Sequence, residues 1–269
     1  MKRVNNIEIL KVLNTGGTST VYFGIDLYTG LPVAVKKLKS SMFKSEFVRN
    51  KFIVEANHYL YLDHPNIVKL NDFIITNENH YLVMEYVDGK NLLEYMTTVT
   101  GPLPVQNVEL LLNDELSALT NVHEQNLMHL DVKPSNIMLS NNNTVKMVGF
   151  GISQKKNIET YHFQTGSPAY KSPEHLMERE LDLQSDIYST GITMYELLTG
   201  KTPFYSCGSR DALFQAIKNN KMPQIKPVNP IDQIHEKEIN RIFIKATNKN
   251  KNERYATCLA YQLDIIQFI

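Results

Sequence analysis

The sequence has little of what would tie it to several large classes of protein. It contains two cysteines, Cys207 and Cys258, far apart and with no Cys-x-x-Cys pair, which supports neither a disulfide framework nor a zinc cage and makes a reducing compartment the simpler setting. It has no net charge. Its 28 Lys and Arg balance 28 Asp and Glu, so no bulk field recommends nucleic acid or an anionic membrane as partner, and recognition of any phosphate must be local. No stretch approaches the roughly 18 apolar residues of a membrane span, and the basic start, MKRVNNIEIL, is not followed by an apolar run long enough for a signal peptide. A cytoplasmic chain without a membrane segment is expected. Internal repeats and low-complexity linkers are also missing. What is present, 269 residues of which 42% are hydrophobic, suffices for a substantial core.

The first 90 or so residues read mostly as strands. The runs IEILKVL, TVYFGID and VAVKKL, the last two separated by the turn LYTGLP, predict an antiparallel meander. A helical stretch from about Lys44 to Leu62 interrupts it, and two more strand-like runs follow, IVKLNDFII and HYLVMEYV. From Asp88 the character changes. Val108, Leu111, Leu112, Leu116, Leu119 and Val122 recur at helical spacing, whereas SDIYSTGITMYELLTG is apolar on nearly every side and closes with Gly200, so it should be buried. Short strands IML and VKM, joined by SNNNT, lie between the two helices. The expected class is α+β: a β-rich N-terminal part over about 1–87 and a mainly helical part over about 88–269.

Three segments carry chemistry suited to phosphates. LNTGGTSTVYFG, which holds Leu13, Gly16 and Val21, is a small-residue turn between strands, where backbone N–H groups can approach an anion; a plain hairpin fits it equally well. Ala34 and Lys36 in VAVKKL point to one face of a strand, so a small flat surface and an ammonium are presented together, although a solvated lysine explains the pattern too. MHLDVKPSNIML is the decisive segment. It sets a carboxylate at Asp131, an ammonium at Lys133, a stiffening Pro134 and an amide at Asn136 on one short loop, which gives a base, a cation and an oxygen ligand together.

With this loop the chain resembles a eukaryotic-type serine/threonine protein kinase domain, from about Ile7 to its end, and the resemblance implies a bilobal protein kinase fold. It assigns Lys36 to the α- and β-phosphates of ATP and Glu55, on the helix before HPNIVKL, to the ion pair that orients it, in preference to Glu46. Met84 matches the gatekeeper, Glu85 and Val87 the hinge whose backbone bonds adenine, and Leu13, Gly16, Val21, Ala34 and Met138 the surround of the nucleotide. Asp131, Lys133 and Asn136 take the catalytic places, with Asn136 also a metal ligand. TGSPAYKSPEH resembles the end of an activation segment, with Ser167 beside the catalytic loop. Glu174 is expected to pair with Arg254, and Asp186 to bond the catalytic-loop backbone.

Three features, at four positions, depart from the family pattern. Asn14 and Ser19 stand in place of two loop glycines. Leu130 replaces the arginine before the catalytic aspartate, which removes the usual partner of a phosphate on Thr160, Tyr161 or Thr165. Gly149 replaces the magnesium-binding aspartate of Asp-Phe-Gly, while Phe150 and Gly151 remain. The implied function is ATP-dependent phosphoryl transfer to Ser or Thr of a protein, with a weakened or absent Mg2+ site. The alternative is a pseudokinase that binds nucleotide or a partner without transfer; a small-molecule kinase is disfavoured by the peptide-platform segment.

Overall fold

The computed structural model describes residues 2–156, 166–228 and 230–267. The chain divides into two units, Met1–Asp88 and Gly89–Ile269.

In the first unit the strand-like runs form β1 (Lys2–Val4), β2 (Ile7–Thr15), β3 (Ser19–Asp26), β4 (Pro32–Leu38), β5 (Leu70–Ile75) and β6 (His80–Glu85). They make one six-stranded sheet in the order β1-β2-β3-β4-β6-β5. The sheet is antiparallel throughout, yet it is not a simple meander. After the helix the chain lays down β5 at the edge and returns with β6 in the gap. Composition explains the exchange: Leu82, Val83 and Met84 of β6 are buried and need neighbours on both sides, whereas β5 carries Asn71 and Asp72 and leaves Ile75 exposed.

The expected helix resolves into a single turn, α1 (Ser40–Phe43), and α2 (Glu46–Tyr59). Ser45 caps α2, its side chain accepting from the Val48 N–H. Ile7, Val33, Val35, Ile74 and Val83 form a core on one face of the sheet. Because strand side chains alternate, Ala34 and Lys36 lie on the other face.

The second unit opens with β7 (Gly89–Asn91) and α3 (Leu92–Tyr95), then α4 (Val105–Glu124), β8 (Leu127–Met128), β9 (Ile137–Ser140), β10 (Val145–Met147) and β11 (Gln154–Lys155). It continues with α5 (Pro173–Leu176), α6 (Gln184–Thr199), α7 (Arg210–Asn219), α8 (Glu236–Ala246) and α9 (Cys258–Ile266). All six apolar positions that announce α4 are buried, and the helix packs against α6 and α9. Every residue of α6 from Ser185 to Leu198 is buried, and Gly200, at φ 77°, ends it in the left-handed conformation. Strands β7, β9 and β10 form a small sheet, and β8 pairs with β11. These pairings bracket the loop that carries Asp131. Among the described residues no helix is long and apolar enough to cross a membrane.

Candidate active site

In the first unit the register sets Val21 opposite Lys36 and places Ala34 between Phe23 and Met84. From β4 the Lys36 ammonium reaches both carboxylate oxygens of Glu55, at 2.6 and 2.7 Å. Glu55 is buried on α2. Glu46 begins the same helix, nine residues or roughly 13 Å of axial rise away, so the expected choice between the two acids is settled by reach. The Gly16 N–H closes the glycine turn on Ser19 O at 2.9 Å, and Leu13 is exposed on β2. At the end of β6 the Glu85 N–H is committed to Lys69 O at 2.9 Å, and its carboxylate accepts from the Lys69 N–H. Val87 follows, half-buried.

In the second unit the loop between β8 and β9 is bonded to itself and to two distant segments. Asp131 Oδ2 accepts from Lys133 Nζ at 2.7 Å and from Asn136 Nδ2 at 2.9 Å, and its Oδ1 accepts from the Ser167 N–H at 3.3 Å. Lys133 also donates to Ser167 Oγ at 2.8 Å. Two groups of the same loop and one 36 residues away in sequence thus fix one carboxylate. The loop backbone hangs from α6: Asp186 Oδ2 accepts from the His129 N–H and Oδ1 from the Leu130 N–H, both at 2.8 Å. Burial alone would raise the Asp186 pKa, but His123 beside it and these bonds hold it below the usual range. Met138 sits on β9, paired with Lys146 and Asn91.

Glu174 and Arg254 meet as expected, in a fork of 2.7 and 2.8 Å. Ser185 Oγ adds a third bond to Glu174. Burial opposes the Glu174 charge, yet Arg254 outweighs it and pulls the carboxyl down to about 2.

Gly149 lies in the left-handed region, at φ 89° and ψ 43°. A Cβ there would stand 2.8 Å from Asn136 Cγ and 2.9 Å from its Oδ1. Asn136 therefore leans over the place that an aspartate would fill. Its Nδ2 donates to Asp131 O at 2.8 Å as well as to Oδ2, which leaves Oδ1 as its single oxygen for a cation. Among the described residues no group of three or more His, Cys, Asp or Glu could hold a metal ion. These residues do not fit a magnesium ion held by protein carboxylates.

Leu130 is buried, at φ 63°, in a cluster with Met128, Leu181, Ile152 and Leu183. An apolar plug occupies the place where the resemblance expects a phosphate-binding arginine. Of the lysines nearby, Lys156 is tied to Asp182 at 2.8 Å and Lys171 is buried. Thr160, Tyr161 and Thr165 lie outside the described residues. Alanine at all three is expected to change initial transfer rates by less than about threefold, or ~0.7 kcal/mol. A hundredfold loss would show that another cation has taken over from the missing arginine.

Sequence reasoning passed over His123, whose Nε2 lies 2.9 Å from Asp186 Oδ2. A histidine in the last turn of an amphipathic helix carries no local signal of such a bond.

The protein kinase domain family model matches residues 7–264. The chain is 33% identical over 274 residues to the serine/threonine-protein kinase PknB of Mycobacterium leprae, covering 97% of this chain and 42% of that protein. It is 35% identical over 272 residues to PrkC of Bacillus subtilis, 98% of this chain and 41% of the relative. With PknL of Mycobacterium tuberculosis it shares 33% over 254 residues, 93% of this chain and 62% of the relative. The chain thus spans about two-fifths of the length of the first two. The match runs through both units and takes in the Asp131 loop, the Lys36–Glu55 pair and the Glu174–Arg254 fork, and on that ground the chain belongs to the protein kinase domain family, in its serine/threonine form.

Proposed function

We propose that this chain transfers phosphate from ATP to serine or threonine hydroxyls of a protein, at a rate lowered by Gly149. The observation that carries this reading is the Asp131 carboxylate, held by Lys133, Asn136 and the Ser167 N–H. A carboxylate fixed on several sides is oriented to receive a hydroxyl proton, and a cation bonded to it can balance charge on a transferring phosphate. In the family Lys36 serves the α- and β-phosphates, and its pairing with Glu55 sets it for that role. Glu85 and Val87 would bond adenine through their backbone, and Val21, Ala34 and Met138 would line it, with Leu13 and Gly16 at the glycine turn. The names of PknB and PrkC, both serine/threonine-protein kinases, support the same substrate class. Two free cysteines are consistent with work in the cytoplasm.

Magnesium neutralises phosphate charge in this family, and Asn136 alone is a thin hold for it; losing such a stabiliser costs about 10³-fold, or ~4 kcal/mol. That specific feature favours a second reading, a pseudokinase. Radiolabelled transfer to a generic basic protein, with magnesium, with manganese and with chelator, separates the two. Signal that Asp131→Asn removes supports the kinase; its absence in all three conditions leaves the pseudokinase.

Nucleotide binding is expected to survive either way. ATP should raise the melting temperature even with chelator present, because Lys36 and Glu55 do not involve Gly149. Lys36→Met should remove most of that shift. A thermal titration showing no nucleotide effect on the unaltered protein would leave only partner binding.

A further inference from the structure

Asp186 holds the catalytic loop, and a short line of side chains in turn holds Asp186. His123, in the last turn of α4, presents Nε2 to Asp186 Oδ2 at 2.9 Å. Its other ring nitrogen, Nδ1, lies 3.4 Å from Cys258 Sγ. Cys258 is the first residue of α9, behind the N-cap Thr257, and only 1% of it is exposed. Three helices therefore contribute one side chain each to a buried sequence of sulfur, imidazole and carboxylate, and the carboxylate ends on the backbone N–H groups of His129 and Leu130.

An imidazole with one bonded nitrogen can roll about its Cβ–Cγ bond, whereas one bonded at both edges cannot. We propose that Cys258 is a positioning residue for the catalytic loop: its sulfur fixes the His123 ring, the ring fixes Asp186, and Asp186 sets where Asp131 stands. This rests on the reading of Asp131 as the group that receives the hydroxyl proton.

The electrostatics agree with that geometry. Burial opposes charge on His123, but Cys258 and Asp186 outweigh it and push the imidazole up to about 10. The other groups facing this line are Glu115 of α4, Tyr261 of α9 and His129 of the loop. Burial pushes Glu115 up to about 8, so it is held neutral, and Thr190 Oγ1 donates to it at 2.8 Å. Burial raises Tyr261 and lowers His129, so both stay uncharged near neutrality.

The test pairs nitrogen NMR of the histidine rings with transfer kinetics in Cys258→Ala and Cys258→Ser. In Cys258→Ala the His123 Nδ1 signal and the amide signals of His129 and Leu130 should move. The kcat should fall about tenfold while KM for ATP stays within about twofold, since nucleotide binding is not touched. Serine, which keeps a donor and acceptor at the same place, should return kcat to within about threefold. Unmoved ring and amide signals in Cys258→Ala overturn the proposal, as does a loss of kcat that serine does not repair. Asp131→Asn, in contrast, should abolish transfer and leave the His123 signals in place. If the unaltered protein transfers nothing, the kinase reading fails and the NMR signals alone decide on Cys258. Should Cys258→Ala not fold, the His123 titration in the unaltered protein decides: an ordinary midpoint near about 6.5 with Nδ1 unbonded overturns the proposal.

Discussion

Placing aspartate at position 149 raises magnesium-dependent phosphate transfer by about 10²-fold and lowers thermal stability at the same time. The gain follows from a carboxylate set next to Asn136 Oδ1, so that two protein oxygens rather than one face the cation. The cost follows from Gly149 itself. At φ 89° a side chain is strained, and its Cβ would press on Asn136 Cγ at 2.8 Å. Asp and Asn tolerate the left-handed region better than most residues, at a cost of about 1–2 kcal/mol. Asn136 must also turn while keeping its bonds to Asp131. That combination holds the gain below the ~10³-fold expected for an unstrained stabiliser, and each kcal/mol lost lowers the melting temperature by about 2–4 °C. The measurement is initial rate against magnesium, with the double variant Gly149→Asp, Asp131→Asn as the silent control. A folded, ATP-binding Gly149→Asp that still transfers nothing places the defect elsewhere in the loop.

The largest stability effect is expected at Arg254. Arg254→Met leaves Glu174 buried and charged without its fork, a loss of about 3–5 kcal/mol in urea unfolding at neutral pH. Adding Glu174→Gln should return much of it, because the stranded charge is then gone. Acid titration gives an independent reading. With its folded pKa pulled down to about 2 from the usual 4.5, Glu174 contributes stability that is fully present above about 4.5 and lost as pH falls toward 2, about 3 kcal/mol in all. In the double variant that acid limb should flatten. If unfolding of the double variant keeps the same dependence between pH 5 and 3, the fork is not its source.

The local parts of this molecule were legible because they rest on short-range rules. Apolar spacing announced α4 and α6, Gly200 closed α6, and the pattern around Asp131, Lys133 and Asn136 marked the site through a resemblance that also paired Lys36 with Glu55. The exchange of β5 and β6 was not legible, because each run has the same alternation and only competition for the sheet centre decides which is flanked. The position of Asn136 against Gly149 was hidden as well: a missing aspartate is visible as a letter, but the side chain that leans over the vacated place is not. Cys258 and His123 are 135 residues apart, and nothing in either helix advertises the other.

Leu130 bears on how easily such a site could change its mode of control. Its backbone is left-handed, yet its amide is held by Asp186 rather than by anything its own side chain does. Loop geometry and side-chain identity are therefore separable at this position. Exchanging leucine for a longer unbranched cation gives up the packing with Ile152 and Leu181 while the carboxylate of Asp131 stays where it is. A cation able to meet a phosphate is then an accessory that one codon would add or withdraw at this position without rebuilding the backbone that Asp186 holds.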